Sequence, residues 1–190
     1  PSHKSADIIA AFAMARDMGF DNINMDVIAG LPGEHAADME HTLNEIIKLA
    51  PENLTVHTLA LKRSSRLVTE GEKYPMPEAE EVEHMVPIGS EAAARLGMRP
   101  YYMYRQKNSA GHYGSTGQEN IGYAREGKEC LYNILIMEEM QTIAAVGAGA
   151  STKIYHPDKK IVSRVENVKS ITDYIDRIEE MIDRKKGVFL

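Results

Sequence analysis

The chain has 190 residues, 22 basic and 28 acidic, with a formal net charge of −6. That length suits one ordinary domain, or a domain with a smaller companion, and is enough to bury a core. At 43% hydrophobic and 26% charged, with no apolar run of about 18 residues, the composition reads as soluble and globular. It gives no membrane-spanning helix and argues against a general nucleic-acid or anionic-membrane binder.

The first residues, PSHKSADIIA, lack the apolar stretch and cleavage site of a signal peptide, so the cytosol is the expected compartment. Ser5 is the expected N-cap of a first helix that carries Ile8, Ala11, Phe12, Ala15 and Met18 on one face and stops at Gly19. INMDVIAG follows as a strand and ends in the turn Gly30-Leu31-Pro32-Gly33. A second helix through Met39, Leu43, Ile46 and Ile47 stops before Pro51, and LTVHTLAL makes a second strand. Helix, strand, helix, strand with short connections predicts a parallel sheet, as in a βα barrel or an open α/β sheet.

From Lys62 the rhythm breaks. A helix is expected from Pro77 to Gly97 with a kink or interruption at Pro87, then a strand PYYMYRQ, then a long glycine-containing loop over Gln106 to Gly122. Short strands are expected at Tyr132 to Met137 and Thr142 to Val146, and a hairpin over Thr152 to Val165 turning at Pro157 and Asp158. A last helix carries Ile171, Tyr174, Ile175, Ile178, Met181 and Ile182 on one stripe.

Alternation puts Asn24 and Asp26 on one face of the first strand and Ile23, Met25 and Val27 on the other. An inward aspartate on a parallel strand is placed either to bind a ligand or to accept N–H groups of the following turn. The Gly-Leu-Pro-Gly turn reads as a structural βα turn, not a phosphate loop. His57 reads as a half-buried strand residue, on the opposite face of its strand from Thr58 and Ala60. None of the seven histidines has metal-ligand spacing, and no metal site is expected. Lys62, Arg63 and Arg66 form one basic cluster and Arg105 and Lys107 another; either suits carboxylate or phosphate groups or a solvated surface. The run VGAGAST, Val146 to Thr152, is an anion nest or a place of close backbone packing. Cys130 is the single cysteine, so an intramolecular disulfide is excluded, and this chain alone cannot supply thiolates for an iron–sulfur cluster.

GFDNINMDVIAGLPGE, followed by a helix and PENLTVHTLALKRSS, is similar to the oxygen-independent coproporphyrinogen III oxidases of the radical S-adenosylmethionine superfamily. YYMYRQKNSAGHYGSTGQENIGYA and MEEMQTIAAVGAGAST resemble the branch often called coproporphyrinogen dehydrogenase. The resemblance covers nearly the whole chain but only the later part of such an enzyme. It implies an α/β fold: a partial parallel βα barrel of about two βα units over residues 1–70, then an α+β C-terminal region over residues 71–190. It also implies a parent enzyme that binds S-adenosylmethionine and a [4Fe–4S] cluster, and needs a reductant for that cluster. Two propionates of the tetrapyrrole coproporphyrinogen III become vinyl groups through a 5′-deoxyadenosyl radical, in haem biosynthesis.

By the same resemblance, Asp26 matches the family aspartate that hydrogen-bonds adenosylmethionine, Ala60 an alanine whose backbone meets it, and Gly147 to Ser151 a segment lining it. Arg105, Gln106, Lys107 and Asn108 are the expected contacts to substrate carboxylates. Family members carry a CxxxCxxC loop upstream of the segment corresponding to Pro1. This chain has none, so the expectation is a portion of the enzyme that is inactive alone. A cut barrel leaves a parallel edge that must self-associate or be covered by the chain's own C-terminal elements. The rival functions are a haem chaperone and a radical enzyme with another substrate.

Overall fold

Two six-residue segments of alternating character set the first sheet. Met25, Val27 and Ala29 share one face of β1 (Asn24–Ala29), and Leu54, Val56 and Thr58 the matching face of β2 (Asn53–Thr58). In the computed structural model, which describes residues 3–59, 66–70, 73–105 and 119–189, β1 and β2 pair in parallel without offset, from Asn24 opposite Asn53 to Ala29 opposite Thr58. Their connection is α2 (Ala36–Leu49), whose Met39, Leu43 and Ile46 recur at helical spacing and bury on the sheet. Asp38 accepts from the His35 N–H at 2.9 Å, and Glu81 accepts from the Ala36 N–H at 2.7 Å, so the helix start has its donors met. Leu43 and Leu54 are buried almost completely.

The chain falls into two compact units, Pro1–Glu129 and Cys130–Leu190. In the first, α1 (Ser5–Asp17) precedes β1, the short α3 (Arg66–Thr69) follows β2, and α4 (Ala79–Arg95) packs against α2 and the same sheet face. Strands β3 (Arg99–Arg105) and β4 (Glu119–Ala124) complete a mixed sheet ordered β1-β2-β4-β3, with β4 antiparallel to both neighbours. Both faces of the prediction for β1 hold: Val27 and Ala29 are buried while Asn24 and Asp26 are exposed.

Several boundaries differ from expectation. Lys4, not Ser5, is the N-cap of α1, and of its apolar stripe only Phe12 is buried; Met18 is 73% exposed. Helix α4 begins at Ala79 and runs through Pro87 uninterrupted. The hydrogen bond missing there is outweighed by Val82, Met85, Ala92 and Ala93, all buried on either side of it. Part of the expected loop, Glu119 to Gly122, is strand β4.

The second unit holds α5 (Leu131–Glu138), the hairpin β5 (Ser151–His156) and β6 (Ile161–Glu166), α6 (Ile171–Asp176) and α7 (Ile178–Phe189). The hairpin and its turn are as expected. The strand expected at Tyr132 to Met137 is helix α5, because a short run of Leu, Ile and Met fits either period and Glu139, at φ 50°, closes it as a left-handed cap. The strand expected at Thr142 to Val146 reduces to one bridge, Ile143 with Lys153. Threonine hydroxyls take the backbone donors on either side: Thr152 Oγ1 accepts from Ala145 N–H at 3.0 Å and Thr142 Oγ1 from Tyr155 N–H at 3.1 Å. The single last helix is two, broken at Arg177, and of its stripe Met181 is buried while Ile171 and Ile175 are exposed.

Candidate functional site

Helices cover one face of the first sheet, and the other face carries its polar residues. The pairing sets Asp26 opposite Thr55, Thr55 opposite Gly122 and Gly122 opposite Tyr102, a row across all four strands. Ile28 opposite His57 starts the next row, in which Asn120 stands opposite Tyr104. Residues in register share a face, so Asp26, Thr55, His57, Asn120, Tyr102 and Tyr104 belong to one surface. Gly122 is required there: a Cβ would stand 1.9 Å from the Tyr102 ring, which lies over the glycine. Asn120 is buried, and its Oδ1 accepts from the Thr58 N–H at 3.2 Å.

Asp26 sits third of six in β1, on the edge strand of the sheet. The following turn does not use it. Gly30 N–H points to Met85 Sδ at 3.3 Å, and Gly33 N–H donates to Pro75 O at 3.1 Å; both glycines have the positive φ that the tight turn requires. The carboxylate is held by side chains instead. Asn24 Nδ2 donates to Asp26 Oδ1 at 2.6 Å, and Thr55 Oγ1 donates to Asn24 Oδ1 at 3.1 Å. His57 Nε2 stands 3.7 Å from Asp26 Oδ2, a charge pair when the ring is protonated. The His57 ring, with the Asn24 amide and the Thr55 hydroxyl behind it, holds the Asp26 carboxyl below the ordinary carboxylate range against the opposing effect of burial. The result is an ionised, oriented acceptor with lone pairs left for hydroxyl or N–H donors. A cleft of about 550 Å³ opens beside it, with Ile8 and Ile9 of α1 and His41, Ile46 and Leu49 of α2 in its walls.

Sequence reasoning treated His57 as an isolated strand residue and gave Asn24 and Thr55 no role. The missing signal was the register. NMDVIA laid beside NLTVHT without offset puts Asn24, Asp26, Thr55 and His57 on one face.

Gly147 and Ser151 lie in the second unit. The Gly147 N–H donates to Tyr174 Oη at 3.1 Å, and its carbonyl accepts from Asn167 Nδ2 at 2.7 Å. Gly149 N–H goes to Val168 O and Ala150 N–H to Gly147 O, so these backbone donors are engaged inside the unit and close packing accounts for them. Lys185 Nζ braces the loop through Ala145 O at 2.8 Å and Asn167 Oδ1 at 2.9 Å. Ser151 Oγ donates to Glu166 Oε1 at 2.7 Å across the hairpin. Arg105 ends β3. Its side chain, and Ala60, Gln106, Lys107 and Asn108, lie outside the described residues, as do Lys62 and Arg63. Among the described residues no three His, Cys, Asp or Glu side chains gather as a metal site, and no helix is long and apolar enough to cross a membrane.

No family model matches the chain. It is 41% identical over 183 residues to the oxygen-independent coproporphyrinogen-III oxidase-like protein HemZ of Bacillus subtilis (strain 168), a match covering 96% of this chain and 36% of that protein. It is 28% identical to the heme chaperone HemW of the same organism, over 94% of this chain and 41% of the relative. To the heme chaperone HemW of Haemophilus influenzae it is 22% identical, over 91% and 40%. In fold it is similar to coproporphyrinogen III oxidase (HemN) of Escherichia coli, a radical SAM enzyme. That TM-score is 0.63 over 94% of this chain and 39% of that one, at 17% identity. The chain thus spans between 36% and 41% of the curated relatives it matches. Over nearly its whole length the chain is thus similar to a portion of the oxygen-independent coproporphyrinogen-III oxidase-like protein of Bacillus subtilis, and its fold is similar to that of a portion of the Escherichia coli enzyme.

Proposed function

We propose that this chain is the adenosylmethionine-holding and tetrapyrrole-facing part of a radical SAM oxidoreductase that decarboxylates coproporphyrinogen III to protoporphyrinogen IX. The observation that carries the reading is the Asp26 carboxylate, kept ionised on the polar face of a parallel pair of strands, with Asn24 fixing one oxygen and His57 beside the other. An oriented carboxylate of this kind accepts the vicinal hydroxyls of a ribose. On this reading β1, α2 and β2 are βα units of a partial barrel. On the same reading the Ala60 backbone meets this cofactor, and Arg105, Gln106, Lys107 and Asn108 meet substrate carboxylates.

The donor set fits the nucleoside. It does not fit the cluster, which needs several thiolates where this chain has Cys130 alone. When bound, and given one electron from an iron–sulfur cluster that this chain's residues do not hold, adenosylmethionine would supply radical chemistry able to take hydrogen from a substrate propionate. This chain's own contribution is to bind and orient that group through Asp26 and to present basic residues to the anionic tetrapyrrole. The 190 residues alone are inactive on this account, and the open edge of β1 pairs with a second copy.

The matches to heme chaperones favour one alternative, haem binding without turnover. To separate the two, the full-length protein is incubated anaerobically with coproporphyrinogen III, adenosylmethionine and a reductant, and haem is titrated separately. Vinyl product supports the decarboxylase; tight haem binding without product overturns it in favour of the chaperone.

A further inference from the structure

Asp26 lies on an edge strand, and its side chain is 57% exposed. A carboxylate so placed turns freely unless something holds it, and binding then loses that freedom. Three side chains on the same face do hold it. Thr55 Oγ1 donates to Asn24 Oδ1, which turns the Asn24 amide so that its Nδ2 faces Asp26 Oδ1 at 2.6 Å. His57 closes the other side, its Nε2 3.7 Å from Asp26 Oδ2. The parallel register, with Asp26 opposite Thr55 and Ile28 opposite His57, places the ring diagonally across from the carboxylate.

We infer that His57 is a positioning residue: with Asn24 it fixes the Asp26 carboxylate in the plane needed to accept two vicinal hydroxyls of a nucleoside. This rests on the reading of Asp26 as the nucleoside acceptor. A ring nitrogen at 3.7 Å is near enough to steer the carboxylate electrostatically and far enough to leave the lone pairs of Oδ2 for a ligand. Asn24 takes Oδ1 from the β1 side. The other titratable groups lining the cleft beside Asp26 are His41 and Glu45 of α2, and Glu45 is engaged by Lys48.

The test uses the 190-residue chain, isotopically labelled, with S-adenosylhomocysteine as the probe and nuclear magnetic resonance as the readout. Asp26→Asn examines the underlying reading. His57→Phe keeps a ring without its N–H groups, and His57→Gln keeps a donor. The expected result is that Asp26→Asn weakens probe binding, that His57→Phe weakens it about tenfold, and that His57→Gln recovers part of the loss. The titration midpoint of the Asp26 carboxyl carbon rises in His57→Phe, which a packing role alone would not produce. Amide spectra report whether each variant is folded, and His57→Leu replaces His57→Phe if that one is not. Loss of binding in Asp26→Asn with wild-type binding in His57→Phe overturns this inference and leaves the nucleoside reading intact. Wild-type binding in Asp26→Asn, or no binding by the unaltered chain, overturns both.

Discussion

Glu52 ties the start of the first sheet to the preceding helix. Its side chain is 10% exposed; Oε1 accepts from Arg16 Nη2 at 2.6 Å and Oε2 from the Ile23 N–H at 3.0 Å. Burial pushes this carboxyl up, but the Arg16 guanidinium, the Ile23 N–H and the charge of Arg125 outweigh it, and the net direction is below the ordinary 4.5. A carboxyl depressed in the folded state contributes stability that is present above its unfolded value and is lost as pH falls through its folded value. Glu52→Gln is therefore expected to cost about 1–3 kcal/mol at neutral pH, measured by urea unfolding, with the gap to wild type closing as the pH drops below 4.5. Asp26 has the same sign, its carboxyl lowered chiefly by His57. Protonation of this carboxyl is expected to weaken nucleoside binding only in acid, below 3.8. A loss of binding already between neutral and mildly acidic pH would count against Asp26 as the acceptor.

At the scale of elements, the contact between β3 and β4 turns on one missing side chain. The Tyr102 ring fills the space over Gly122. Gly122→Ala is expected to lower stability by about 1–3 kcal/mol, and Tyr102→Ala in the same molecule to return much of that loss. Additive losses in the double variant would show that the two do not share that space. The same contact explains why β4 was illegible in sequence. A glycine in mid-strand, close to Gly111, Gly114 and Gly117, reads as loop until its partner is known. β1, α2 and β2 were legible because alternation and helical spacing agreed with where the core lies, as at Val27, Leu43 and Val56. α5 was not, since Leu131 to Met137 carries no period that separates helix from strand. The break between α6 and α7 was hidden for another reason. The isoleucine stripe continues through Arg177 although the backbone there leaves the helix, at φ −112° and ψ 28°. Of the site, Asp26 could be placed from its strand and motif, whereas Asn24, Thr55 and His57 joined it only once two strands were set side by side.

For the whole molecule, the first unit carries an open sheet edge. β1 is an edge of the sheet. Near it stand the exposed apolar residues Ile8 and Ile9 of α1, and Ile28 of β1 itself. Edge strands of this kind pair with other chains unless a charge prevents it. The isolated chain is expected to sediment as a dimer or larger, and Ile28→Lys to return it to a monomer; a wild-type monomer at high concentration would contradict that pairing. The same chain, with Cys130 as its one thiol, is expected to develop no iron–sulfur absorbance after anaerobic reconstitution. A stable cubane spectrum would overturn the account of this chain as a portion without cluster ligands. The most direct test of the central claim, that the polar face around Asp26 holds a nucleoside, is a map of amide and side-chain shifts as S-adenosylhomocysteine is added to the labelled chain. The account predicts that the changes centre on Asn24, Asp26, Thr55 and His57. Changes confined to other surfaces, with those four residues unmoved, would contradict it.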